Sequence, residues 1–151
     1  MGVPEVYIHF FGDGRDCDPK SGKGHLENLL AFTKEIGLGK VATIVGRYYI
    51  MDRDKRWDRV EVGMKGLVTG EGEESSDPVA TFAQRYEAGE TDEFIKPIIV
   101  NGKEARIQDN DTVFFFNTAP TASARSPSFS ATRTAARSPT SHTPRTSTSP
   151  P

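Results

Sequence analysis

The sequence predicts an α/β fold, a layered sheet with flanking helices, in an incomplete domain over residues 1–117 followed by a disordered tail over 118–151. Three observations predict it. Short β-branched and aromatic runs alternate with segments of helical period, which argues for a largely parallel sheet covered by helices. All 21 acidic residues and 15 of the 19 Lys and Arg precede residue 118, so that segment carries −6 and the remainder +4. The remaining 34 residues contain 16 Ser or Thr and six Pro, with Phe129 their one large apolar side chain. Such a segment buries too little surface to offset the entropy of ordering it.

The elements follow in order. EVYIHFF (5–11) is a strand closed by a tight loop at Gly12-Asp13-Gly14. In GHLENLLAFTKEIGLG, Leu26, Leu29, Leu30 and Ile36 form a helical stripe, and Gly37 is a natural stop. KVATIV (40–45) is a second strand, apolar enough to be covered on both faces. Asp54 can cap a following helix in which Trp57, Val60, Met64 and Leu67 share one face. Asp77-Pro78 is an N-cap with proline at the first helical position, and Val79, Phe82, Ala83 and Tyr86 follow on one side. KPIIV (96–100) and TVFFF (112–116) read as later strands. About 117 residues suffice for a core on size grounds. The chain opens directly in a strand, however, so the domain is expected to be incomplete.

Composition excludes several classes. No apolar run approaches the ~18 residues that span a bilayer, and the N-terminus lacks the regions of a signal peptide. Gly2 is followed by Val6 where a myristoylation signal wants Ser or Thr. The single Cys17 cannot form an internal disulfide and sits between two aspartates that disfavour its thiolate. The expected setting is cytoplasmic, without membrane association. No HExxH, paired cysteines, Walker loop or GxSxG is present. His9 lies in a strand and His25 on a helix, neither with a second ligand at metal spacing, so each is expected to be satisfied or solvent-facing. The acidic turn GEGEESSD (70–77) lacks calcium-loop spacing and reads as solvated. No catalytic residue and no metal ligand is assigned.

Two loops carry the candidate chemistry: FGDGRDCDP (11–18) and GRYYIMDRDKRW (46–57), each directly after a strand. In open α/β sheets ligands bind at the carboxyl ends of strands, where both loops would lie. Gly12, Gly14 and Gly46 let the backbone turn sharply or approach a ligand closely. Arg15, Arg47 and Arg53 can aim planar forks at a carboxylate or phosphate, and Asp16 can accept from hydroxyls. Together they describe a pocket for a small anionic, hydroxylated molecule. Arginines and aspartates this close in sequence also commonly pair with each other, as solvated or structural ion pairs.

The strings VYIHFFGDGRD, PKSG, VATIVGRYYIMDRDKRWDRVE, GEGEESSDPVATF and DTVFFFN together resemble the cofactor-independent phosphoglycerate mutases over essentially all of residues 3–117. GRYYIMDRDKRW is the most specific of them. The resemblance implies an isomerase of glycolysis (glucose catabolism) interconverting 3- and 2-phosphoglycerate through a phosphoserine intermediate. In that family a phosphatase-like domain holds two manganese ions, the serine nucleophile and a lysine, while an inserted α/β domain grips the glycerate. The present residues match part of the inserted domain. Carried over by motif, Arg15 and Asp16 of GRD, Arg47 of GRYY and Arg53 of DRD are implied substrate contacts. The arginines would bind the anionic groups and Asp16 the glycerate hydroxyls. The nucleophile, the manganese ligands and a His-containing substrate motif are absent from these residues. A fragment inactive alone, without bound metal, is therefore expected. Members of the family are usually monomeric.

After Asn117 the family continues with a run like Tyr-Arg-Ser-Asp-Arg-Val-Arg-Glu-Ile, whose first two arginines complete the anion clamp. Here Thr118, Ala119, Pro120, Thr121 and Ala122 stand at the first five of those positions. Written in C-rich codons, AAC TAC CGC TCC GAC CGC GTC CGC GAG ATC, and read after loss of the first T of TAC, that run becomes Asn-Thr-Ala-Pro-Thr-Ala-Ser-Ala-Arg-Ser. This is Asn117 to Ser126 as it stands. The tail is accordingly expected to be a frameshifted reading of a mutase gene. The rival reading is a non-catalytic interaction protein whose Arg-bearing disordered tail binds RNA or acidic partners. Four arginines without interleaved aromatics offer little for nucleic acid to hold, so nucleic-acid binding is not expected.

Overall fold

The computed structural model describes residues 2–102 and 105–115. Its elements are β1 (Tyr7–Gly12), α1 (Gly22–Ile36), β2 (Lys40–Gly46), α2 (Arg47–Ile50), α3 (Trp57–Val68), β3 (Glu73–Glu74), α4 (Pro78–Glu87), a single 3-10 turn (Asp92–Phe94) and β4 (Ile98–Ile99). The expected alternation of strands and helices is present, and the class is α/β. The proposed tail over 118–151 lies outside the described residues.

Sheet order is β1-β2-β4-β3. β1 and β2 run parallel, with Phe10 opposite Ile44 and Gly12 opposite Gly46, as the crossover through α1 requires. β4 is antiparallel to β2, pairing Thr43 with Ile99 and Ile44 with Ile98, while β3 runs parallel to β4. Two of the three strand pairings are thus parallel, as expected, and the antiparallel β2–β4 pairing makes the sheet mixed. α4 is followed by the 92–95 turn, which returns the chain beside β2 in the opposite direction.

Alternation along β2 sends its residues to two cores. On one face Ile44 joins Leu26, Phe82, Ile95 and Ile98 beneath α1 and α4. On the other, Val45 packs with Ile50 and Leu67 beneath α2 and α3. Both faces are covered, which is why the strand is buried from Val41 onward and its one buried polar side chain, Thr43, is hydrogen-bonded.

Helix ends follow local chemistry. Gly37 closes α1 at φ 67°, a left-handed conformation that costs glycine little. Asp77 accepts from the N–H groups of Val79 and Ala80, both at 3.1 Å, and Pro78 opens α4. The expected cap at Asp54 is not used: Arg56 occupies the cap position of α3 without a side-chain bond. Asp52 takes the role of local acceptor instead. Ile36, the last residue of α1, and Trp57, the first of α3, are exposed, at the helix termini. Residues 112–115 are not in a strand, and Phe114 is 80 % exposed. Strand propensity places a segment in a sheet only where a neighbouring edge receives it. The acidic turn holds β3, and Glu73 there is paired with Arg85 of α4.

Arg106 is a core element no sequence pattern announced. Its guanidinium is buried and donates to Thr43 Oγ1 at 2.5 Å, Gly66 O at 3.0 Å, and Ala42 O and Asn101 O at 2.7 Å. Burial lowers its pKa. His9, opposite Thr43 in the β ladder, lies close enough to feel that charge. Its Nδ1 is buried without a hydrogen-bond partner among the described residues, so the expectation of a satisfied or solvent-facing ring fails at that atom. Desolvation, reinforced by Arg106, lowers its pKa to about 4. His25 is exposed, as expected.

Candidate functional site

The register between Gly12 and Gly46 brings the two arginine-bearing loops out side by side at the carboxyl ends of β1 and β2. Arg47 is the first residue of α2 and is buried, held at the strand end by the bond from Gly46 N to Ile95 O at 2.7 Å. Its Nη1 donates to Asp16 Oδ2 at 2.6 Å and to Asp13 Oδ1. Burial alone would lower the Arg47 pKa, but the bonds to Asp16 and Asp13 outweigh it and raise the value. Asp13 also accepts from the N–H groups of Arg15 and Asp16, both at 3.4 Å. Desolvation acts upward on its carboxyl, and these bonds with the Arg47 charge hold it below the usual range.

Of the four sequence-predicted residues, Arg47 and Asp16 are thus in direct contact. Arg15 is exposed and turns toward Glu93, its Nη1 3.8 Å from Oε1. Arg53 is exposed on the loop between α2 and α3 and makes no ion pair among the described residues. Arg47 pairs across to the aspartates of the other loop, 34 and 31 residues away, and not with an aspartate close to it in sequence. Every side-chain hydrogen bond of Arg47 among the described residues leaves from Nη1. Nε and Nη2 remain uncommitted there.

The glycines do something other than approach a ligand. A methyl group on Gly46 would stand 2.2 Å from the carbonyl oxygen of Glu93, and one on Gly12 2.7 Å from that of Asp92. On Gly14, at φ +61°, it would stand 2.8 Å from Glu93 N. The three form a floor on which the chain's own 92–94 turn is seated. Below that turn, buried Asp92 accepts from Gly22 N at 2.7 Å and from the Tyr86 hydroxyl. A carboxylate from 70 residues away thereby caps the start of α1, which Ser21 leaves without a side-chain cap. Burial and the bond to Asp92 raise the Tyr86 pKa.

The second loop has its own organiser. Asp52, with a side chain 4 % exposed, accepts on Oδ2 from Asp54 N at 3.0 Å and Arg56 N at 2.8 Å. Arg59 lies 3.9 Å from its Oδ1 and stacks over Tyr48 at 3.9 Å from the ring centre. Tyr48 in turn meets Phe94 of the seated turn, ring centres 5.1 Å apart. Sequence reasoning did not single out Asp13, Asp52, Asp92 or Glu93. An Asp followed within four residues by glycine or arginine in a loop is the one local sign of the first two.

Among the described residues no group of three or more His, Cys, Asp or Glu side chains can hold a metal ion. Asp13 and Asp16 each give one carboxylate oxygen to Arg47, and two such carboxylates are too few for a two-metal centre, so the described residues do not fit one. No described helix is long and apolar enough to cross a membrane.

A sheet whose parallel strands β1 and β2 end in two arginine-bearing loops, with Arg47 buried between the carboxylates of Asp13 and Asp16, defines the chain as an α/β domain. The sequence model of the family described as BPG-independent PGAM N-terminus matches residues 1–120, and the chain belongs to that family. It is 52% identical over 120 residues to the 2,3-bisphosphoglycerate-independent phosphoglycerate mutase of Caenorhabditis elegans, covering 78% of this chain and 22% of that protein. It is 48% identical over 122 residues to the enzyme of that name from Clostridium perfringens, covering 79% and 24%. The chain therefore spans less than a quarter of the length of these curated relatives. Among solved structures it is similar to the Leishmania mexicana phosphoglycerate mutase crystallised at low cobalt concentration, with 27% identity and a TM-score of 0.55. That likeness covers 68% of this chain and 20% of the other.

Proposed function

We propose that residues 1–117 are part of the substrate-gripping domain of a cofactor-independent phosphoglycerate mutase, an isomerase of glycolysis that interconverts 3- and 2-phosphoglycerate through a phosphoserine. Two manganese ions and the serine nucleophile are the business of the remainder of such an enzyme. Residues 118–151 are read as a frameshifted continuation.

The observation that carries this reading is Arg47: a buried guanidinium at a strand's carboxyl end, fixed through one nitrogen by Asp13 and Asp16. A fork anchored on Nη1 has lost its rotational freedom before a ligand arrives, and its remaining N–H groups can meet an oxyanion in a set direction. Exposed Arg15 and Arg53 supply further positive charge on the two loops, and Asp16, with a side chain 72% exposed, can accept from a glycerate hydroxyl. A phosphoglycerate that must reorient before its phosphate returns needs such a grip.

These 151 residues alone should therefore bind weakly and not turn over. Purified chain mixed with manganese and 3-phosphoglycerate is expected to form no 2-phosphoglycerate. An amide-shift NMR titration should give saturable binding near a Kd of about 1 mM, weakened by Arg53→Ala and abolished by Arg47→Ala. Turnover that disappears in Arg47→Ala would contradict the inactive-fragment reading, and binding indifferent to all three arginines would contradict the grip.

A further inference from the structure

We propose that Asp52 is the positioning residue for Arg53: its buried carboxylate fixes the 52–56 loop so that the arginine is presented to the anion before any ligand arrives. The inference rests on the reading of the arginine cluster as an anion site.

Three observations meet at this loop. Asp52 is charged and almost fully buried, yet among the described residues its nearest cation, Arg59, lies at 3.9 Å and does not donate to it in a hydrogen bond. Its acceptor capacity is spent on backbone, one oxygen receiving both Asp54 N and Arg56 N. Those bonds flank Arg53 and Lys55, and Lys55 is held at φ 59°, a conformation that residues with a Cβ adopt only at a cost. A strained residue persists where surrounding contacts over-determine it, and such strain commonly marks a preset binding loop. Without the carboxylate, the loop would relax, the two N–H groups would turn to water, and Arg53 would be free to sample many directions. Binding would then have to order it.

One oxygen accepts both N–H groups, so asparagine can reproduce the arrangement through its amide oxygen, whereas alanine cannot. In the full 151-residue chain, with 3-phosphoglycerate as the probe, Asp52→Ala is expected to weaken binding about 3- to 10-fold. Asp52→Asn should recover most of that loss. In an Arg53→Ala background, Asp52→Ala should add nothing, since its effect runs through that side chain. Hydrogen exchange supplies a second readout without ligand: the amides of Asp54 and Arg56 should exchange faster in Asp52→Ala and return toward the parent in Asp52→Asn. An equal loss of binding with and without Arg53 would overturn the proposal, as would unchanged exchange at both amides. If the parent chain shows no saturable binding, the phosphoglycerate reading itself fails. The exchange result then decides alone whether Asp52 presets the loop.

Discussion

Seating the 92–94 turn on a floor of glycines makes one substitution, glycine to alanine, act in opposite directions at two places. At Gly46 the added carbon would lie 2.2 Å from the Glu93 carbonyl oxygen, 2.6 Å from its carbon and 2.7 Å from Asp92 O. All three obstacles are backbone, so no side chain can swing aside. The turn must lift, stretching the Gly46 N to Ile95 O bond of 2.7 Å. Overpacking of this kind costs about 1–3 kcal/mol, and a weakened hydrogen bond adds roughly 1 kcal/mol. At Gly24, in the first turn of α1, nothing lies within 4 Å of the added carbon. There alanine should stabilise by about 0.5–1 kcal/mol, since it removes backbone freedom from the unfolded chain. Urea unfolding of Gly46→Ala and Gly24→Ala should therefore place their midpoints on opposite sides of the parent. The pair should differ by about 2.5–5 kcal/mol at unchanged m. A Gly46→Ala chain as stable as the parent would refute the seating, because no room for that carbon exists in the arrangement described.

Two further outcomes follow from buried groups away from the loops. His9 has a folded pKa near 4 against an ordinary 6.5, so the unfolded chain binds its proton more readily. Its contribution is intact above pH 6.5 and is lost as pH falls toward 4, by about 3 kcal/mol at most. An NMR titration of the His9 ring should find it neutral at pH 5.5, and a midpoint near 6.5 would remove this source of acid sensitivity. Asp92→Ala strands the Gly22 N–H and the Tyr86 hydroxyl together and should cost roughly 2–4 kcal/mol. Asp92→Asn, which keeps an acceptor for one of them, should cost less, and equal losses in the two variants would show that the carboxylate's bonds are not what matters.

Features written within a few residues were legible in the sequence. Asp77-Pro78 caps α4 through its own next turn, Gly37 ends α1 by its own backbone, and the apolar run of β2 reports two covered faces. The site loops were placed correctly because position after a strand fixes which sheet end they reach. What was hidden is non-local. Asp92 caps a helix that begins 70 residues earlier, and nothing around it in the sequence names Gly22 as its partner. The glycines of the two loops were legible as places of close approach, but the approaching group was the chain's own turn. Residues 112–115 show the limit of propensity: Phe and Val favour a strand, and the described sheet does not include them. Ile36 and Trp57 extend their helical stripes to the helix termini, where both are exposed. Asp54 and Asp52 are both plausible local acceptors by type, and only the path of the backbone selects the buried one.

Arg106 reaches carbonyls or hydroxyls on β2, α3 and the 101–102 segment with one rigid planar group. A single residue's slip of any of those three would leave charged N–H donors without acceptors in a poorly polarisable interior. The guanidinium therefore works as a vernier, accepting one alignment of three segments and rejecting the adjacent ones. Lysine, with one nitrogen on a flexible stem, could satisfy fewer acceptors and would tolerate misalignment. A polypeptide with that substitution would be expected to lose sharpness of its native state before it lost compactness.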